Sequence, residues 1–115
     1  METTIWHNPR CSKSRQTLAL VEARDAAVTV RRYLDDPPTA DELRTVLDQL
    51  GIEPRALMRT NEPEYRELGL ADVTDRDALI DAMAQHPRLI ERPVVIVGDR
   101  ARLGRPPEDV LDLFE

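Results

Sequence analysis

The sequence predicts an α/β fold, a four-stranded mixed sheet with helices packed against it. Three observations carry this expectation. Residues 3–33 read strand, helix, strand, the order of a βαβ unit. Residues 93–104 read as two strands joined by a two-residue turn. The stretch between is helical in period, and a further helix closes the chain. With 115 residues, 41% of them hydrophobic, there is material for one core. Residues 1–115 are therefore expected to form a single domain, with a helical insertion over about 39–87.

Thr3 to His7 is short, β-branched and aromatic, as a strand is, and Asn8-Pro9 breaks it. From Cys11 to about Arg24-Asp25 the period turns helical, with Leu18, Val21 and nearby alanines on one face. Val28 to Tyr33 alternates Val28 and Val30 against Thr29 and Arg31, the pattern of a half-buried strand. A helix between two strands of one sheet makes them parallel. Asp35-Asp36-Pro37-Pro38 is a stiff connector. Thr39-Ala40-Asp41-Glu42 is a capping box, whose hydroxyl and carboxylate satisfy free amides at a helix start. Leu43, Val46, Leu47 and Leu50 supply that helix's buried stripe, and Gly51 its stop.

Pro54 to Met58 predicts one helical turn, and Asn61 to Leu68 a short helix capped by Asn61. Thr74 to Gln85 predicts a longer helix, capped by Thr74, packed by Leu79, Ile80 and Met83, and ended by His86-Pro87. His86 there is a helix-end residue favoured by the dipole. Pro93 to Val97 is a continuous apolar, β-branched run, the mark of a strand buried on both faces. Gly98-Asp99 turns it into Arg100 to Gly104. Pro106-Pro107 then opens a terminal helix carrying Val110, Leu111, Leu113 and Phe114.

Composition narrows the function. A net charge of −6 argues against nucleic-acid binding, which needs a basic face to displace counterions, and against docking on anionic membranes. No segment approaches the roughly 18 apolar residues of a membrane span, and Met1-Glu2-Thr3-Thr4-Ile5 lacks the pattern of a signal peptide. A cytoplasmic location is expected. One cysteine excludes an internal disulfide, and two histidines make a poor zinc site. There is no glycine-rich phosphate loop, so neither a metal nor a bound nucleotide cofactor is expected. Redox chemistry at Cys11 must borrow its second thiol from another molecule.

Cys11 lies between a strand end and a helix start, where free amides and the helix dipole favour a thiolate. His7, Arg10, Lys13 and Arg15 lie close by in sequence and push the same way. A lowered pKa turns cysteine from a small hydrophobe into a nucleophile. The competing reading is an inert buried thiol, which this junction disfavours. Ser14 stands where a dithiol protein carries its second cysteine, so Cys11-Ser12-Lys13-Ser14 is a monothiol version of Cys-x-x-Cys, suited to a mixed disulfide with an external thiol. The Ser14 hydroxyl has two readings: a hydrogen bond to the Cys11 thiolate, or an ordinary early-helix hydroxyl.

His7-Asn8-Pro9-Arg10-Cys11-Ser12-Lys13-Ser14-Arg15 closely resembles the active-site loop of the glutaredoxin-coupled arsenate reductases. The likeness continues through Tyr33-Leu34, Arg55-Ala56-Leu57-Met58-Arg59, Glu67-Leu68-Gly69-Leu70, His86-Pro87, Ile90-Glu91-Arg92-Pro93 and Leu103-Gly104-Arg105-Pro106, in the family's order and spacing. Ser12-Lys13 stands where the arsenic-resistance members tend to carry Gly-Thr, so the chain is closer to the compact branch of the family.

The resemblance implies a thioredoxin-like fold with a helical insertion and Cys11 as the nucleophile toward arsenate. It implies Arg59, Arg92 and Arg105 as the oxyanion site, and guanidinium forks suit a tetrahedral oxyanion. For each arginine the plain alternative is a solvated surface residue. His7 resembles the histidine that helps keep the cysteine ionised, as a protonated imidazole would. Arg92-Pro93 matches the place of the cis proline beside the active cysteine of thioredoxin-like proteins; a trans proline opening a strand is the alternative. Glutathione is the implied co-substrate, glutaredoxin the implied partner and arsenite the product. Two rivals stand beside this reading: a monothiol transferase acting on glutathionylated proteins, and a non-enzymatic module that regulates transcription.

Overall fold

The computed structural model describes residues 2–115. The described chain gathers into two compact units, one formed by the residues up to Asp36 with Arg92–Glu115, the other by Pro37–Glu91.

The first unit holds the sheet. Its strands are β1 (Thr3–Trp6), β2 (Thr29–Arg31), β3 (Val94–Val97) and β4 (Arg100–Leu103), in the order β2-β1-β3-β4. β1 and β2 run parallel, with Ile5 beside Val30, because helix α1 (Ser12–Arg24) carries the chain back between them. β3 lies antiparallel to β1, with Val95 opposite Ile5, and β4 antiparallel to β3. Gly98, at φ 61°, makes the left-handed turn that joins Val97 to Arg100. Ile5, Val95 and Val97 project from one sheet face onto Val21 of α1 and onto Val110 and Leu113 near the C-terminus. β3 is central, and Val94 and Val95, which point to opposite faces, are both fully buried. This is the mixed four-stranded sheet with flanking helices that the sequence predicts.

In this unit three local expectations differ from what is observed. The second strand is only three residues long, not Val28 to Tyr33, and Val30 is 42% exposed. Val28 reaches the core, but Val30 sits further along an edge strand that has a sheet neighbour on one side only. The terminal helix is a 3-10 helix over Pro107–Phe114, and its buried residues Pro107, Val110 and Leu113 recur every third position, in register with three residues per turn. On α1 the buried positions are Ser14 and Thr17 as well as Val21, so this helix buries a partly polar stripe.

The second unit is helical. α2 (Ala40–Leu50) opens with the predicted capping box: the Glu42 N–H donates to Thr39 Oγ1 at 3.1 Å and the Thr39 N–H to Glu42 Oε1 at 3.0 Å. It ends at Gly51, at φ 69°. Leu43, Val46 and Leu47 are buried; Leu50 is not fully so. A 3-10 turn at Pro54–Leu57 matches the predicted single turn. Helix α3 (Pro63–Glu67) starts later than predicted, with Glu62 and not Asn61 at the N-cap position and no side-chain capping bond, since Pro63 fits the first helical position, where its missing N–H costs nothing. α4 (Arg76–Gln85) is capped by Asp75, which accepts from the Asp77 N–H at 3.2 Å, not by Thr74. Aspartate, one residue closer to the helix, ranks above threonine as a cap. Leu79, Ile80 and Met83 are buried as expected, and α2 packs on α4. Arg55 ties the connecting turns together, donating to the Tyr65 hydroxyl and to the carbonyls of Leu70 and Val73. An isolated antiparallel bridge joins Met58 to Ile90. Among the described residues no helix is long and apolar enough to cross a membrane.

Thr39→Ala should lower stability by about 1 kcal/mol, read as a lower midpoint in chemical denaturation. Adding Glu42→Ala should cost less than its separate effect, because the two bonds of the box support one another.

Candidate active site

Cys11 is the N-cap of α1, with extended backbone at φ −97° and ψ 122°. Its carbonyl accepts the first helical bond, from the Arg15 N–H at 3.0 Å, while its own N–H donates to the Asn8 carbonyl at 3.0 Å. The thiol is free and partly exposed. Burial pushes the Cys11 thiol up, but the Ser14 N–H, the Arg92 guanidinium and the Lys13 N–H together outweigh it and hold the pKa below the ordinary value. The sulfur does not close a full capping bond, so the amides act on it as oriented dipoles at the head of the helix. The cation acting on the sulfur is Arg92, distant in sequence, and not the neighbouring Arg10, Lys13 or Arg15 side chains.

Ser14 is fully buried. Its hydroxyl is taken by two groups from the strand end: the Asn8 N–H donates to Oγ at 3.0 Å, and His7 Nδ1 lies 2.7 Å away. The bond from this hydroxyl to the Cys11 thiolate is therefore not made; what Ser14 turns toward the sulfur is its main-chain N–H. His7 is 6% exposed, and burial, then Arg32 and Arg15, lower its pKa against a smaller opposing effect of Glu22. The protonated imidazole expected beside the thiolate is thus disfavoured at neutral pH. A neutral imidazole accepting at Nδ1 lets the Ser14 hydroxyl accept once and donate once.

Asn8 was legible in sequence only as a strand breaker. In the structure it builds the loop: its Oδ1 accepts from the Arg10 N–H at 3.0 Å, its carbonyl from Cys11, and its N–H bonds Ser14. The signal was present, because Asn-Pro is a dipeptide whose amide side chain bonds its own backbone two residues on. Arg15 Nη1 adds a bond to the Pro9 carbonyl at 3.0 Å.

The Arg92–Pro93 peptide bond is cis, and so is Arg105–Pro106, which sequence reasoning did not single out. Arg92 Nε is buried without a hydrogen-bond partner among the described residues. Arg105 Nε donates to the Arg92 carbonyl at 2.9 Å, so the Arg105 guanidinium is tied to the main chain of Arg92. The Gly104 N–H donates to the Pro93 carbonyl at 3.0 Å. Cys11, Arg92 and Arg105 thus stand in the same unit. Arg59 belongs to the other, where Nε bonds Glu62 at 3.1 Å and Nη1 bonds Glu91 at 3.4 Å. Neither carboxylate was foreseen as its partner. Among the described residues no three or more His, Cys, Asp or Glu side chains cluster as metal ligands do.

A βαβ unit completed by a ββ hairpin, its strands in the order β2-β1-β3-β4 and a lone thiol at the head of its first helix, defines a thioredoxin-like fold. Within that class the chain belongs to the ArsC family, which it matches over residues 6–113. It is 47% identical over 111 residues to an arsenate reductase of Neisseria meningitidis, covering 95% of both chains. It is 48% identical over 113 residues to an arsenate reductase of Escherichia coli K12, covering 96% of this chain and 79% of that longer one. A solved structure named as an arsenate reductase from Vibrio cholerae superposes with a TM-score of 0.94 at 51% identity, covering 98% of each chain.

NMR titration of His7 should give a midpoint below that of free histidine, with the imidazole neutral at pH 7. Ser14→Ala strands the Asn8 amide and His7 Nδ1, and should cost about 1–3 kcal/mol, read as a lower melting temperature.

Proposed function

We propose that this chain reduces arsenate to arsenite, with the Cys11 thiolate as nucleophile, glutathione as the second thiol and glutaredoxin as the protein that regenerates Cys11. The observation that carries the proposal is the Cys11 sulfur, partly exposed, drawn toward its anion and facing the guanidinium of Arg92. One positive group there serves two ends: it stabilises the nucleophile and attracts the oxyanion it attacks. The names of the relatives support arsenate as the substrate.

The Cys11 thiolate attacks arsenic(V), an As–S bond forms, and one arsenate oxygen leaves as water after protonation. The glutathione sulfur then attacks the Cys11 sulfur. The As–S electron pair returns to arsenic, which is reduced by two electrons and released as arsenite. Two thiols are oxidised to the Cys11–glutathione disulfide. A glutaredoxin thiolate takes up the glutathionyl group and frees Cys11. The lone cysteine supports this use of outside thiols, because no second one in the chain can resolve an adduct. Arg92 and Arg105 hold the arsenate oxygens; the same role for Arg59 rests on the family resemblance. A cytoplasmic location, where glutathione keeps thiols reduced, accords with this chemistry.

Purified protein supplied with arsenate, glutathione and glutaredoxin should release arsenite, and Cys11→Ser should abolish release. Without glutaredoxin, mass spectrometry should find Cys11 carrying one glutathione. Absence of arsenite together with efficient release of glutathione from glutathionylated proteins would replace this function with that of a monothiol transferase.

A further inference from the structure

Gly104 is buried, and its role is not conformational, since it is not among the glycines at positive φ. Its importance is the space a side chain would need. A β-carbon placed on it would lie 2.5 Å from Thr17 Oγ1, 2.9 Å from Thr17 Cγ2 and 2.7 Å from Pro93 Cγ. The backbone at 104 is therefore pressed between the second turn of α1 and the proline that opens β3. Neither wall gives way easily. Thr17 is fully buried, and its hydroxyl is held to the Lys13 carbonyl at 2.8 Å. Pro93 is a rigid ring whose carbonyl already accepts from the Gly104 N–H.

The residues beside this contact are the two arginines of the proposed site. Arg92 precedes Pro93, Arg105 follows Gly104, and Arg105 Nε bonds the Arg92 carbonyl. The helix that carries Cys11 at its head also carries Thr17 on its buried face, so one rigid element bears both the nucleophile and the wall that fixes the arginine loop. We propose that Thr17 and Gly104 are positioning residues: their close contact sets where Arg105 stands relative to Arg92 and Cys11, and so tunes oxyanion affinity without touching the thiolate. The inference rests on the arsenate-reductase reading above. It treats Thr17, a polar residue with no apparent chemical task, as part of the machinery of recognition.

The test is a pair of complementary substitutions. Gly104→Ala adds a methyl group where there is no room. Thr17→Ala removes both atoms on the α1 side and opens a space of about that size. Kinetics of arsenite production in each single variant and in the double variant form a mutant cycle. Gly104→Ala should raise KM for arsenate roughly tenfold, on the scale of an overpacked contact, with a smaller change in kcat. Thr17→Ala, which relaxes the same contact, should raise KM about threefold. The double variant should lie closer to wild type than Gly104→Ala alone, because the two close contacts with Thr17 are removed and only that with Pro93 Cγ remains. The pH midpoint of Cys11 alkylation should stay at the wild-type value in all three, which separates a displaced Arg105 from a damaged nucleophile.

Additive KM effects, an unaltered KM in folded Gly104→Ala, or a loss confined to kcat would overturn the proposal. If Gly104→Ala does not fold, an unaltered KM in Thr17→Ala overturns it equally. The wild-type protein separates the two possible failures. No arsenite from wild type defeats the proposed activity and this inference with it, whereas normal wild-type turnover with unaltered variants defeats the inference alone.

Discussion

The structure turns on the electrostatic balance at one sulfur. Cys11 is buried enough for desolvation to oppose its ionisation, yet the amides of Ser14 and Lys13 and the guanidinium of Arg92 reverse the sign. None of these suffices alone. A helix terminus contributes fractions of a kcal/mol to about 2 kcal/mol, and burial of an isolated charge costs more than that. The sulfur is drawn toward its thiolate because a local feature, the start of α1, coincides with a distant one, the residue before Pro93.

Much of the unit around the sheet can be understood as what brings those two features together. Ser14, buried with its hydroxyl between His7 and Asn8, knots the first turn of α1 to the end of β1 and so fixes the loop that carries Cys11. The parallel pairing of β1 with β2 and the antiparallel pairing of β1 with β3 place β3 beside β1. The residue that opens β3 thereby comes level with the end of β1, Val94 lying opposite Trp6. Buried polar groups do this positioning: Ser14, His7 and Asn8 are all buried. Each has its hydrogen bonds, without which burial would destabilise the fold.

What was legible in the sequence was whatever is encoded locally. The Thr39–Glu42 capping box, Gly51 as a stop, the Gly98-Asp99 turn and the apolar run of β3 are each specified within a few residues, and each was read correctly. The start of α4 differs by one residue because two good capping residues, Thr74 and Asp75, stand side by side and only the folded chain chooses between them; that of α3 differs because Pro63 takes the first helical position. Val30 misled because alternation reports which face a residue points to, not how far the covering helices extend. The period of three in the terminal helix was hidden by additional apolar residues at Leu111 and Phe114.

At the site, Cys11 and the helix start were legible from sequence, while the true partners of Ser14, the lowering of the His7 pKa by burial and the bonds of Arg59 to Glu62 and Glu91 were not. These are contacts whose identity depends on burial and on residues brought together by folding. Arg10, Lys13 and Arg15 looked like the electrostatic support for Cys11 because they are near in sequence; Arg92 is near in space. The most direct measurement of the central claim is a pH titration of thiolate ultraviolet absorbance, specific here because Cys11 is the sole cysteine. The wild-type midpoint should lie below that of free cysteine and move upward in Arg92→Ala. A wild-type midpoint at or above the free value, unmoved by that substitution, would contradict that claim.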